Sequence, residues 1–398
     1  MFDAIIVGAG GAGLSSAISL SKHTNNFFVI TAGGIFHSNT AKAHGGIQIS
    51  VLPEDSPELH FEDTYIGGNY KGKKELIRIM TDNSTNLLYW LNTLGMDFDK
   101  FDDTYIVKKC EGISVPRILS KKGHIGISII RALYSEVKKI GIKIMNWTVL
   151  KEIHKANDFF ILVISHGKRV QRLKTRNVIL CCGGRSKQYA ELNGYGSTNQ
   201  AITDFQFYES LRKLGLKMVD DDSFQFHPAC ISLKGKLNGT PIPETLRSSG
   251  SKILDVNGKP IKTDGLKRDE LSKELIKAIK QGRAAKTNKF EYDSFYLDLK
   301  PALGENKNFL DTFKFLFTRL KHNGIDPYKD LIPVTPMVHY QNGGIEINTF
   351  CETSIDRIYA AGEITGGIHG TNRLMGNSLL DILTYGKIAG ESCGRTIK

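Results

Sequence analysis

The chain has 398 residues, 40% hydrophobic and 24% charged, with a net charge of +12. That length leaves room for two or three domains and a large core. No uninterrupted apolar run is long enough to cross a bilayer, and no signal peptide precedes the first strand, so a soluble cytoplasmic protein with no membrane span of its own is expected. Lysines are scattered, without a basic tract, which argues against nucleic acid as a partner. The six cysteines form no CxxC pair, which argues for reduced thiols and against a metal or cluster site.

In chain order, Phe2 to Val7 reads as a strand and Leu14 to Ser21 has helical spacing. Between them Gly8, Gly10 and Gly13 form GxGxxG. The first glycine makes the turn, the second admits a pyrophosphate to the backbone, and the third lets helix pack on strand. A second strand, Phe27 to Thr31, ends where a ribose would lie; Thr31 stands in the place of the usual acidic residue. Residues 37–50 are small, polar and glycine-containing, suited to backbone wrapped on a ligand. Leu76–Leu94 and Gly126–Val137 have helical spacing, Lys143–Val163 gives strands, and Arg176–Cys182 is a buried strand closed by Gly183 and Gly184.

Thr198–Leu216 reads as a helix, and Asp222 to Pro228 as a strand end carrying His227. Ser251–Asp255 and Lys259–Lys262 flank an Asn-Gly turn and predict a hairpin. A helix over Leu266–Lys280 and a strand over Phe295–Leu299 follow. Ala360 to Asp381 holds five glycines, with His369 and Arg373 in its loop, and predicts strand, turn and helix start. Arg373 can hold a carboxylate through two parallel hydrogen bonds, and Asn377 and Ser378 suit a helix N-cap. The expected domains are residues 1–228, an insertion at 229–330, and a return at 331–398.

These segments carry a resemblance. GAGGAG at 8–13, SNTAKAHGG at 38–46, CCGG at 181–184, STN at 197–199, QFHP at 225–228, KRDELS at 267–272, PVTPMVHYQNGGI at 333–345 and GEITGGIHGTNRLMGNSLLD at 362–381 resemble, in order, the succinate dehydrogenase / fumarate reductase flavoprotein family, which includes L-aspartate oxidase. The resemblance implies an α/β Rossmann-like FAD-binding domain with an inserted α+β capping domain. It implies FAD along Gly8, Gly10, Gly11 and Gly13, near Thr31, under Asn39, Thr40, Gly45 and Gly46, and in contact with Asp204, Glu363, Ser378 and Leu379. It implies a C4 dicarboxylate bound by His227, His339 and Arg373, with Arg268 giving or taking the proton and Glu244 and Arg247 relaying it. The N-terminus of the last helix suits the flavin O2 region, where negative charge grows on reduction.

The sequence also departs from that family. Asn39 stands where respiratory members carry the histidine that binds FAD covalently, so non-covalent FAD is expected. Pro243 replaces a substrate-binding threonine, and RSSGS at 247–251 replaces RGEGG. The chain stops at Lys398, where relatives continue into a helical C-terminal domain, so FAD and cap domains alone are expected. Three readings stay open. One is a fumarate-reductase or succinate-dehydrogenase type enzyme served by an external electron carrier, with an iron–sulfur subunit as one candidate. The second is L-aspartate oxidase, making iminoaspartate for NAD biosynthesis, with Glu111 one residue out of register with an acidic position of that enzyme. The third is a non-catalytic flavin-binding subunit.

Overall fold

Phe2–Val7 (β1) ends in four consecutive buried apolar residues, Ala4 to Val7. A strand without polar alternation is covered on both faces and suits the middle of a parallel sheet. In the computed structural model, which describes residues 1–122, 124–199, 205–263, 265–305 and 313–397, β1 has parallel partners on both sides. Phe27–Ile30 (β2) pairs on one side and the end of the strand Arg169–Leu180 on the other. Ile144–Met145 extends the sheet beyond β2, and Ile358–Ala360 extends it beyond Arg169–Leu180, both in parallel. Arg169–Leu180 starts earlier than its apolar run suggests. Its first half turns antiparallel to Phe160–His166, which pairs in turn with Thr148–Lys155.

This sheet belongs to a unit made of Met1–Arg185, Gln200–Ser223 and Gln341–Lys398. The helix after β1, Gly11–Leu20 (α1), is buried at every residue, as expected of a helix with no polar face. It packs on the C-terminal helix, Asn377–Arg395. A Cβ at Gly386 would stand 2.5 Å from the Ala12 carbonyl oxygen, and one at Gly390 would stand 2.2 Å from that of Ser16. Ser16 Oγ donates to the Gly386 carbonyl at 2.8 Å. Glycine at four-residue spacing on one helix face therefore lets the two backbones touch. The helical stretch expected over Leu76–Leu94 is two helices, Lys74–Asp82 and Ser84–Thr93. They part at Asn83, whose side chain donates back to the Ile79 carbonyl at 2.8 Å.

The second unit comprises Ser186–Asn199 and Phe224–Tyr340. Its sheet is built on Ile332–Gln341, paired with Gly196–Ser197, Phe224–Ile231 and Phe295–Asp298, with Lys252–Leu254 beyond the last. The helix Arg268–Lys280 packs on Phe224–Ile231, and Leu271, Leu275, Phe295, Leu297 and Val334 share one apolar core.

One local expectation holds in shortened form and one changes. The Asn-Gly turn forms, with Asp255 Oδ1 accepting from the amides of Asn257 and Lys259. The return arm is a single antiparallel bridge, Leu254 to Pro260, flanked by the Asp255 amide donating to the Lys259 carbonyl at 2.9 Å and the Ile261 amide to that of Ile253 at 2.8 Å, while Lys252–Leu254 pairs on its other side with Phe295–Asp298. His227 lies inside the strand Phe224–Ile231 rather than at its end.

The close approach of α1 and the C-terminal helix gives a stability test. Gly390→Val should lower unfolding stability by about 3 kcal/mol or more, because backbone blocks the added carbons. Gly304→Ala, where an added Cβ meets no atom of the described residues within 4 Å, should be neutral or stabilise by up to about 1 kcal/mol. Thermal unfolding midpoints of the two variants would separate them, and equal midpoints would contradict the close-packing account.

Candidate active site

At the end of β1 the chain turns through Gly8, whose φ is +111°. A Cβ at Gly13 would stand 1.8 Å from the Gly8 carbonyl oxygen, so the helix can start this close to the strand only with glycine there. α1 begins at Gly11 after Gly10, with no side chain capping it. The amide of Gly11 donates to Thr40 Oγ1 at 3.1 Å, which ties the loop after β2 to the turn. First-turn amides at an uncapped helix start suit a phosphate. Gly45 is exposed and Gly46 has a φ of +115°. Thr31 uses its backbone in the sheet, donating to Met145 and accepting from Thr148, and keeps its side chain half-buried. Asn39 precedes the short 3-10 turn Thr40–Lys42. Glu363 Oε1 accepts the Gln341 amide at 3.1 Å. These residues fit a dinucleotide with a pyrophosphate. Asp204 lies outside the described residues. Burial pushes the thiols of Cys181 and Cys182 up to about 12, which leaves them unreactive near neutrality.

The loop after Ile358–Ala360 is fastened from several directions. Pro57–Gly67 (α2) is capped by Ser56, whose hydroxyl accepts the Leu59 amide at 3.2 Å. Asn372 donates to the Gly67 carbonyl at 2.9 Å, and the Thr371 amide donates to that of Gly68 at 3.2 Å. Gln48 donates to the Met375 carbonyl at 2.7 Å. Arg373 is buried, with Nη1 donating to the Leu374 carbonyl at 3.1 Å. His369 Nε2 lies 3.1 Å from Asp381 Oδ2, both groups buried, which pins this loop to the C-terminal helix. That helix starts at Asn377, and its N-cap is Gly376 at a φ of +92°. Ser378 and Leu379 occupy its first turn.

Asn377 is therefore not a cap, as its type suggests. Its amide nitrogen donates to Thr64 Oγ1 at 2.9 Å, and its Oδ1 lies 2.9 Å from His60 Nε2. Beside this, the fully buried Arg117 holds Asp55 at 2.8 Å and Asp63 at 2.5 Å. Burial opposes the charge on Arg117, but its bonds to Asp55 and Asp63 outweigh it and raise its pKa. Burial, aided by Arg117, lowers the His60 pKa to about 4 against the pull of Asn377, Asp55 and Asp63. His60 is neutral near pH 7.

In the second unit five expected residues lie on neighbouring elements. His227 and His339 come from the paired strands Phe224–Ile231 and Ile332–Gln341, their ring centres 5.3 Å apart. His227 Nδ1 accepts the Ala229 amide at 3.3 Å, which in the neutral ring leaves the proton on Nε2. Thr198 Oγ1 lies 2.8 Å from His339 Nδ1. Glu244 and Arg247 are buried on one short helix, with Arg247 Nε donating to Glu244 Oε1 at 2.7 Å. Arg268 Nη2 lies 3.7 Å from Glu244 Oε2. Arg268 opens its helix, where a cation opposes the dipole. Asp269 and Glu270 in the same turn and the nearby Glu244 offset that. Burial pushes the Cys230 thiol up while the charge of Arg268 opposes it. Pro243 caps the Glu244 helix and offers neither hydroxyl nor N–H.

Arg268, Glu244 and Arg247 thus form one charged group, with the two histidines paired in the same unit. Arg373 and the glycine turns belong to the other unit. Sequence reasoning missed His60, Thr64, Asp55, Asp63 and Arg117. Their partners are far along the chain, Asn377 being 317 residues from His60. The one local signal was His60 and Thr64 at i, i+4 on a capped helix.

A family model described as an FAD binding domain matches residues 3–379. The L-aspartate oxidase of Clostridium acetobutylicum is 30% identical over 402 residues, covering 99% of this chain and 88% of that protein. One subunit of the fumarate reductase (CoM/CoB) of Methanothermobacter marburgensis is 28% identical over 411 residues, covering 99% and 72%. Among solved structures, the E. coli quinol fumarate reductase FrdA superposes with a TM-score of 0.87 at 26% identity, over 100% of this chain and 70% of that one.

His60 predicts a pH dependence. Its folded pKa of about 4 lies below the unfolded value of about 6.5. Between the two the unfolded chain binds more protons, so this contribution to stability is lost as pH falls through that window, by about 3 kcal/mol in all. His60→Gln retains a donor near the Nε2 position without titrating. Urea unfolding at about pH 7 and about pH 4 should show a loss smaller by about 3 kcal/mol in the variant; equal losses would contradict the assignment.

Proposed function

The chain belongs to the FAD-binding flavoprotein family of fumarate reductases, succinate dehydrogenases and L-aspartate oxidases, and on that premise we propose a fumarate-reductase-type enzyme acting on a C4 dicarboxylate. It is a flavin-dependent oxidoreductase whose cofactor is FAD. The observation that carries the substrate reading is the group of the half-buried Arg268 with the buried Glu244 and Arg247, in the unit that also pairs His227 with His339.

FAD, when bound, supplies hydride transfer at flavin N5. In our reading Gly8, Gly10, Gly11 and Gly13 face its pyrophosphate and Thr31 its ribose. Asn39, Thr40, Gly45, Gly46, Asp204, Glu363, Ser378 and Leu379 complete the cradle. In the second unit His227 and His339 offer donors to a carboxylate of the acid; in the first, Arg373 offers its fork to a carboxylate. Arg268 moves the proton at the second alkene carbon, and Glu244, bridging Arg247 and Arg268, passes it on. Cations around the acid also stabilise the enolate-like charge of the transition state. Pro243 removes one hydrogen bond to the substrate, so the acid is held differently from a site with threonine there. We read residues 229–330 as the capping domain and the enzyme as cytoplasmic. Electrons come from an external carrier, with an iron–sulfur subunit as one candidate. Among the described residues, no helix is long and apolar enough to cross a membrane.

A second reading, L-aspartate oxidase, is favoured by the 30% identity to the Clostridium enzyme over nearly the whole of both chains. Anaerobic mixing of the oxidised holoenzyme with succinate or L-aspartate, and of the reduced holoenzyme with fumarate, separates the two. Reoxidation by fumarate supports the first reading; flavin reduction by L-aspartate alone overturns it. Arg268→Gln should lower turnover by about 10²–10⁴-fold with FAD content unchanged, and full activity would remove Arg268 from the chemistry. With Asn39 at the attachment position the flavin is non-covalent: acid precipitation should leave a colourless pellet, and a yellow one would contradict this.

A further inference from the structure

His60 is fully buried, more than three hundred residues from its side-chain partner, and takes no part in the proposed chemistry. Its bonds form a closed ring. Asn377 Nδ2 donates to Thr64 Oγ1 at 2.9 Å, and the Thr64 hydroxyl donates to the His60 carbonyl at 2.8 Å. The Asn377 oxygen then has only an acceptor's role, so at 2.9 Å His60 Nε2 carries the proton and donates to it. Each member is at most 3% exposed. The ring joins one turn of α2 to the first residue of the C-terminal helix, whose N-cap, Gly376, makes no side-chain bond of its own.

We propose that His60, Thr64 and Asn377 are positioning residues that fix the N-terminus of the C-terminal helix against the flavin and thereby set its midpoint potential. This rests on the reading that Ser378 and Leu379 meet the cofactor. The physical basis is direct. First-turn amides without intrahelical partners give the helix start a partial positive charge. That charge acts over a few ångströms, so its effect on a flavin that gains negative charge on reduction depends on where the turn is held. Gly376, in the left-handed region, leaves the backbone before the helix easy to reorient. A buried side-chain ring supplies the fixing that a cap would otherwise give. The pair of Arg117 with Asp55 and Asp63 holds the other side of α2, and burial keeps His60 neutral, so the donor at Nε2 and the lone pair at Nδ1 persist across the neutral range.

The test compares flavin midpoint potentials of holoenzymes, with FAD content and dissociation constant measured alongside. Thr64→Val keeps the shape and opens the ring. It should weaken binding of reduced relative to oxidised flavin about tenfold, which lowers the potential by about 30 mV for a two-electron couple. His60→Leu should do the same or more, and His60→Gln, which restores a donor, should return the potential to the wild-type value. Ser378→Asp is the control for placement: a carboxylate in the first turn lowers the potential if that turn meets the flavin. If Ser378→Asp lowers the potential while Thr64→Val leaves it unchanged, the ring has no positioning role and the proposal fails. If neither variant moves it, the placement of the helix at the flavin fails and the proposal with it. Thr64→Val serves where His60→Leu does not fold.

Discussion

The backbone contact between α1 and the C-terminal helix is the constraint on which the first unit depends. It brings the two ends of the chain together at the mouth of β1, where an added carbon at Gly390 would lie 2.2 Å from a carbonyl oxygen. Side chains elsewhere in the core can repack around a methyl group, but two helices in backbone contact cannot separate locally without shifting whole elements. Both helix starts are thereby set, that of α1 after Gly10 and that of the C-terminal helix after Gly376. Neither N-cap residue makes a side-chain bond, and apart from the Gly11 amide, which Thr40 Oγ1 accepts, the first-turn amides suit a ligand. A dinucleotide, with phosphates at one end and a flavin at the other, is matched to such a pair.

Around these bare helix starts the polar groups are heavily tied. Asn372, Thr371 and Met375 are all bound through backbone or side chain to the elements at 48 and 67–68. His369 is bound to Asp381 and Asn377 to α2. The loop that carries Arg373 is thus among the more constrained parts of the unit despite its glycines. In the second unit the charges are concentrated instead: one carboxylate, Glu244, serves two guanidinium groups. Removing either cation would leave this buried carboxylate poorly compensated. The two units therefore use opposite devices, dispersed hydrogen bonds in the first and clustered charge in the second.

The turn between β1 and α1 was legible in the sequence because everything that makes it is local: an apolar run, glycines at fixed offsets, then a helical period. The same holds for the helix Arg268–Lys280 and for the Asn-Gly turn at 257–258. The return arm after that turn is shorter than its apolar pattern suggests, a single bridge between Leu254 and Pro260. Asn377 was misread as a cap because its type favours caps. The competing partners, His60 and Thr64, lie over three hundred residues away and leave no trace in spacing. Arg117 with Asp55 and Asp63 was invisible for the same reason: a buried ion cluster has no period. The residues grouped by family resemblance, Glu244 with Arg247 and Arg268, come together in space, whereas composition alone would have made each a surface charge.

The central claim is that a C4 diacid and FAD share one site, with Arg373 holding a carboxylate. Titrating the oxidised holoenzyme with fumarate, in the absence of any reductant, tests it most directly. The account predicts a saturable perturbation of the flavin visible spectrum that is lost in Arg373→Gln with FAD still bound. A spectrum unmoved by fumarate, or moved equally in the variant, would contradict it.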